Sequence, residues 1–267
     1  MTEHTPDQTP VDLAHAAMQA APDDDNARLR FFERVADGEW FLLLEEEHDG
    51  EGPISPRVFP VEENSFVLAF DREQRLAEFA GHAPYAAMSG RVLAEMLTGS
   101  GYGLGLNLSV APSEMLLPGE AVDWLHATLG NAPVETHGKA EEVFPPAGLP
   151  ELLITALDAK LAIAGGLAKL CYLAGVKYED GVRSHLLAFV DQIPGAETAL
   201  ARLVSEALIF SGIEAGALDV AFFKSSDPVC ASLARFGLRF DLPEPEPFET
   251  NGPSAPGMDP NAPPILR

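Results

Sequence analysis

Positive charge is scarce in this chain: 17 lysines and arginines stand against 41 aspartates and glutamates, a formal net charge of -24. Such a field repels phosphate backbones and anionic membranes at long range, so nucleic acid is not an expected partner. Cysteine is nearly missing. Cys171 and Cys230 are too few for a disulfide framework and fit no metal-ligand spacing, so both are expected to be reduced and buried. No apolar run reaches the ~18 residues of a membrane span, and the first residues lack the basic and apolar regions of a secretory signal. A cytoplasmic protein with no membrane partner is the expectation. There is no Gly-Lys-Ser or Gly-Lys-Thr for a P-loop, and Leu104 stands where G-x-G-x-x-G needs its last glycine.

What is present is packing pattern. With 46% hydrophobic residues in 267, the chain can build two modest cores. From Glu63 to Leu129 apolar residues alternate between period two and a period near 3.6, as in strand-then-helix units. Helices are expected at Val11–Ala21 and Asn26–Ala36, the second opening behind Asp23, Asp24 and Asp25, which suits a helix N-terminus. Trp40–Leu44 reads as a strand covered on both faces, and Glu45–Pro60 as a loop or exposed hairpin. Strand Ser65–Phe70 leads to Asp71 as an N-cap, with Gln74 completing a capping box for crossover helix Arg72–Ala80. Strand Tyr85–Met88, cap Ser89, helix Gly90–Leu97, strand Tyr102–Leu108 and helix Gly119–Leu129 follow.

The polar, proline-bearing stretch Val134–Pro150 reads as a domain boundary. Beyond it come helix Glu151–Ala164 and strands Leu167–Val176 and Arg183–Val190, joined through Glu179-Asp180-Gly181. An Asp-Gly pair tolerates the positive φ of a tight turn. Helix Ala196–Ile209, strand Leu218–Phe223 and helix Pro228–Phe236 complete the unit, with Asp227 as N-cap and Pro228 at the first helical position. The fold class is therefore α+β: two tandem small domains, 11–132 and 147–240, each a mixed sheet covered by helices. A disordered N-terminal arm precedes them. A disordered, acidic, proline-rich tail, 241–267, follows, in which Leu242 to Pro247 can form a polyproline helix.

Candidate chemistry is thin. Gly99, Gly101, Gly103 and Gly105 leave one face of the third strand bare, which suits either a closely packed neighbour or a ligand groove. Cys230, in the first turn of a helix, is the best placed nucleophile, although it shares an apolar face with Leu233 and Ala234. Asp219 lies in an apolar strand, where a carboxylate needs a partner. Glu45, Glu47, Asp49 and Gly50 imitate the start of a calcium loop, but Pro56 replaces the closing glutamate. The seven histidines show no ligand spacing. No cofactor and no metal is expected.

The segment Ala83-Pro-Tyr-Ala-Ala-Met-Ser-Gly-Arg-Val-Leu-Ala-Glu-Met-Leu97, followed by Gly101-Tyr-Gly-Leu-Gly-Leu-Asn107 and Leu116-Leu117-Pro118, resembles the N-terminal domain of the bacterial SseB family. Leu149-Pro150 opening a helix, Cys171-Tyr-Leu-Ala, the Tyr178-Glu-Asp-Gly turn, His185-Leu-Leu and Leu218-Asp-Val are similar to that family's C-terminal domain. The chain departs from the pattern at Asn107-Leu108, where the family usually has Asn-Pro. The resemblance implies the fold of residues 11 to 240. It brings no established activity, cofactor or catalytic residue.

The expectation is a non-catalytic protein-binding or regulatory protein. Residues 1–140 hold 24 acids against 8 bases, which serves solubility and also offers a surface to a basic protein partner. The alternative is a small-molecule-binding protein or thiol enzyme using Cys230 or the glycine face, with Gly101, Gly103, Gly105 and Asn107 nearest to it.

Overall fold

The computed structural model describes residues 8–48, 52–130, 140–213 and 218–244, in two mixed sheets with helices on both faces of each. The class is α+β. Helix α1 (Pro10–Ala20) begins where the Thr9 hydroxyl accepts from the Asp12 amide and the Asp12 carboxylate accepts from the Thr9 amide, a reciprocal cap. Helix α2 (Asp25–Asp37) is capped by Asp24, which accepts from the Asn26 amide at 2.9 Å. Strand β1 (Glu39–Leu43) follows, with Trp40, Leu42 and Leu43 fully buried from both sides. Between β1 and strand β3 (Asn64–Phe70) the chain makes a hairpin arm, β2 (Val58–Val61), a strand too short and proline-bearing to stand out in the sequence.

Strand β3 (Asn64–Phe70), helix α3 (Glu73–Ala80), strand β4 (Tyr85–Ser89), helix α4 (Gly90–Leu97), strand β5 (Gly103–Leu106), strand β6 (Met115–Leu117) and helix α5 (Gly119–Leu129) complete the first body. The sheet order is β4-β1-β3-β5-β6, with β3 and β5 parallel and β1 antiparallel to both β3 and β4. Ser89 caps α4 as expected, accepting from the Val92 amide. Asp71 does not cap α3. Its carboxylate is drawn to Arg75 and Thr9, and the N-cap position falls to Arg72, which makes no side-chain cap bond. One sheet face packs Trp40, Leu42, Val67, Ala69, Leu104 and Leu106 under α1, α2, α4 and α5, each buried leucine contributing about 1.5–3 kcal/mol. The other face, Leu43, Leu68 and Phe70, is covered by Leu76 of α3.

The second body opens earlier than residue 147. Strand β7 (Ala140–Phe144), inside the stretch read as a boundary, pairs with the long strand β8 (Leu170–Tyr178). Helix α6 (Glu151–Ala162), strands β8 (Leu170–Tyr178) and β9 (Arg183–Val190), helix α7 (Glu197–Phe210), strand β10 (Asp219–Phe223), helix α8 (Val229–Phe236) and strand β11 (Leu238–Asp241) follow. The order is β10-β9-β8-β11, and β7 and β11 share the outer edge of β8 end to end. Gly181 turns the β8–β9 hairpin with φ of 84°. Asp227 does not cap α8: its carboxylate accepts from the Lys224 amide at 2.8 Å. The tail also begins later than residue 241, since β11 ends there, Leu242 is buried in the core, and the Pro243 carbonyl accepts from the Gly166 amide. Residues 1–7, most of the expected arm, and 245–267, most of the expected tail, lie outside the described residues, as do Asp49, Gly50 and Glu51 of the calcium-like loop.

Both sheets share a plan. An antiparallel pair (β1/β3, β8/β9) carries a parallel strand on one flank (β5, β10) and an antiparallel strand on the other (β4, β11). The chain visits those flanks in opposite order in the two bodies. Among the described residues no helix is long and apolar enough to cross a membrane.

Candidate functional site

Ligands of open sheets tend to sit beyond the carboxyl ends of parallel strands, and each body has one such place. In the first, β3 runs out at Asp71 and β5 at Asn107. Asn107 is fully buried with φ of 48°, a left-handed conformation that asparagine tolerates better than most residues. Its Oδ1 accepts from the Asp71 amide at 3.0 Å, and its Nδ2 donates to Ser113 Oγ at 2.9 Å. The Ser113 hydroxyl in turn donates to Asp12. Arg75, one turn into α3, donates from Nη1 to Asp71 at 2.8 Å and from Nη2 to Asp12 at 2.5 Å, while the Thr9 hydroxyl donates to Asp71 at 2.6 Å. The first turn of α1 thus fills the place where a ligand would enter. Burial works to raise the Asp12 pKa, but Arg75, Ser113 and the Thr9 amide outweigh it, so the carboxyl sits below the usual aspartate value. Burial likewise opposes the charge on Arg75, and the two aspartates outweigh it. A shallow cleft of about 350 Å³ beside the network is lined by Gln74, Arg75 and Glu78 among others.

In the second body the equivalent place is open. Asp191 ends β9 with φ of 53° and accepts from the Ser225 amide at 2.8 Å, while Glu197 accepts from the Gly195 amide at 2.9 Å. These carboxylates, with Gln192, Lys224, Ser225 and Ser226, line a cleft of about 510 Å³ between the starts of α7 and α8. Gln192 Oε1 is buried and has no hydrogen-bond partner among the described residues. Cys230 stands behind this rim, its thiol donating to the Lys224 carbonyl at 3.2 Å. Partial burial, then the carboxylates of Asp227 and Asp191, push its pKa up, against thiolate chemistry.

A third cluster joins the two bodies. Lys160 of α6 is 1% exposed, and its Nζ lies 2.6 Å from Asp37 Oδ2 and 3.4 Å from both Glu33 Oε1 and Glu206 Oε2. Arg91 of α4 bridges Asp37 and both oxygens of Glu206. Glu33 and Asp37 belong to α2 and Glu206 to α7, so ions of opposite sign lock the helical layers of the bodies together. Among the described residues Glu33 Oε1 has no hydrogen-bond partner despite its nearness to Lys160.

The candidates read from the sequence do not converge. Gly103 and Gly105 are filled by packing: a Cβ would fall 2.4 Å from the Phe66 ring at the first and 2.5 Å from Leu68 at the second. Gly99 and Gly101 have φ of 70° and 75° and serve the turn before β5. Asp219 accepts from the Tyr178 hydroxyl at 2.8 Å, a structural bond. Cys171 is fully buried in β8, and burial, aided by Asp241, pushes its pKa up to about 12. Asn107 alone belongs to a polar network, and it does so from the fold side. No group of His, Cys, Asp and Glu suited to a metal ion occurs among the described residues. Sequence reasoning missed Asp12, Arg75 and Lys160. One signal was available: Lys160 falls on the same helical stripe as Leu153 and Leu157, and Asp12 adjoins Val11 on the buried side of α1. Comparison with protein-family models, curated proteins and solved structures yields no match to this chain.

Proposed function

We propose that this chain is a non-catalytic protein-binding or regulatory protein, of the SseB type that its sequence resembles, whose acidic surface engages a basic partner. The observation that carries the reading is how the cations are spent. Arg75, Arg91 and Lys160 all turn onto carboxylates of the chain itself, and over the whole sequence 17 bases stand against 41 acids. The thiol pKa shifts add to it, since neither cysteine is poised as a nucleophile. The reading keeps the protein in the cytoplasm with both thiols reduced. Immobilised protein incubated with lysate at low ionic strength should retain basic proteins that rising salt releases. Recovery of no partner at low salt overturns the proposal.

The open cleft at Asp191, Gln192 and Lys224, with its orphaned Gln192 oxygen, favours a second reading as a small-molecule-binding protein. A screen of metabolites, serine included, should then raise the melting temperature for at least one compound. A flat screen removes that reading.

A further inference from the structure

Exposed sheet edges invite other chains to pair, and proteins blunt them with charge, proline, bulges or short length. Most edges of this protein are blunted in that way. Strand β6 has three residues between Pro112 and Pro118, and β2 carries Pro60. In the second sheet β7 carries Glu141, Glu142 and a register shift, and β11 carries Arg239 and Asp241. The residues leading into β10 lie outside the described set.

Strand β4 is different. Tyr85-Ala-Ala-Met-Ser89 holds no charge and no proline, its register with β1 is continuous, and no described strand pairs with its outer side. The Gly90 amide donates to the Gly38 carbonyl and the Leu44 amide to the Pro84 carbonyl, each at 2.9 Å. Hydrogen-bonded pairs in an antiparallel ladder fall at alternate residues, so 84, 86, 88 and 90 face β1. The amides and carbonyls of Tyr85 and Ala87 therefore point outward, a ladder with open rungs.

The surroundings select what completes it. Beside the edge, Tyr85 is 39% exposed and packs edge-on to Phe41 at 5.5 Å, while the small, exposed Ala87 stands opposite the half-buried Phe41 in the register. Exposed Glu39 stands at one end of the strand, across from Ser89, and exposed Glu45, Glu46 and Glu47 follow the other end. Glu73 lies against the Tyr85 hydroxyl. Arg57, whose amide donates to the Leu43 carbonyl, has its guanidinium over the Phe59 ring. A second copy of a chain carrying -24 would meet like charge here.

We propose that β4 receives an extended basic segment of a partner protein as an added strand. Its alternate side chains rest on Phe41 and Tyr85, and its cations meet the acidic ends. This rests on the basic-partner reading above and names the surface that serves it. The probe is a fluorescein-labelled peptide of about seven residues alternating lysine and valine, long enough to span the ~17 Å of β4 with about one residue over at each end, with a glutamate-for-lysine control. The expected result is saturable, salt-sensitive binding of the lysine peptide alone, with slowed amide exchange at Tyr85 and Ala87. Ala87→Pro removes an outward N–H and none that faces β1, while fixing φ at that position, and Ala87→Lys keeps the N–H but adds like charge. Each should weaken binding at least about tenfold, with melting curves reporting whether each variant remains folded.

Unchanged binding to both folded variants overturns the edge proposal and leaves the basic-partner reading standing. Failure of the lysine peptide to bind wild type also overturns it, and if lysate partners are still retained and eluted by salt, the edge alone falls. Equal binding of the glutamate peptide, or a dimer that Ala87→Pro abolishes, overturns the choice of occupant.

Discussion

Replacing Lys160 by methionine keeps the stem and removes the ammonium that three carboxylates share. The site is dry, with Lys160 1% exposed and Glu206 3%. Among the described residues Arg91 would remain as the cation paired with Asp37 and Glu206, and Glu33 would lose its nearby ammonium. Removing one partner from a buried ion cluster strands the others and costs about 3–5 kcal/mol, a large part of the ~5–15 kcal/mol that holds a domain folded. Urea titration reads the loss with two probes. Trp40 and Trp124, the two tryptophans, both lie in the first body and report it by fluorescence, while far-ultraviolet dichroism reports both bodies. Lys160→Met should lower the midpoint on both probes, and adding Asp37→Asn should recover part of the loss. The pH dependence gives an independent check. Burial works to raise the Asp37 pKa, and Lys160 and Arg91 outweigh it, holding the carboxyl below its ordinary 3.8. A depressed carboxyl stabilises the fold above the unfolded value, and that contribution is lost as pH falls through the folded value. Without Lys160 the carboxyl rises, so acid unfolding should begin at a higher pH than in wild type. A variant within about 1 kcal/mol of wild type, the worth of an exposed pair, with an unchanged acid transition, would refute the account of this cluster.

Gly103→Ala places a methyl 2.4 Å from the Phe66 ring and 2.6 Å from the Leu117 carbonyl. It should cost about 1–3 kcal/mol by overpacking in a denaturant titration. Asn107→Ala strands the Asp71 amide and removes the bond that Ser113 Oγ accepts, with an expected loss of about 1–3 kcal/mol that Asn107→Gly, which relaxes φ but restores neither bond, does not fully recover. In the native protein, Cys230 should react with an alkylating reagent at neutral pH more slowly than a free thiol, and Cys171 only on unfolding. Rapid modification of either would contradict the environments described for them.

Helices were readable because their signals are local. Asp24 and Ser89 cap their own next residues, and the stripes of α2 and α6 repeat within one element. Strands β2, β7 and β11 escaped because proline, paired glutamates or alternating charge, tolerable at an edge, erase the apolar pattern that marks a strand. The polar networks were opaque for a different reason. Arg75 meets Asp12 from 63 positions away and Lys160 meets Asp37 from 123, and no window of sequence spans such a pairing. Asp71 and Asp227 show the two effects in conflict: each sits where a cap belongs, and each is taken by another donor, Arg75 and Thr9 for the first and the Lys224 amide for the second.

The end-to-end arrangement of β7 and β11 along β8 bears on how the protein is made. Synthesis delivers β7 before β8 but β11 only after α7, β10 and α8. While translation proceeds through those elements, Leu170 to Leu173 of β8, largely apolar and destined for the interior, have no strand neighbour on their outer side. A nascent chain paused near α8 therefore presents an unpaired greasy strand, and a chaperone has its clearest task in that interval.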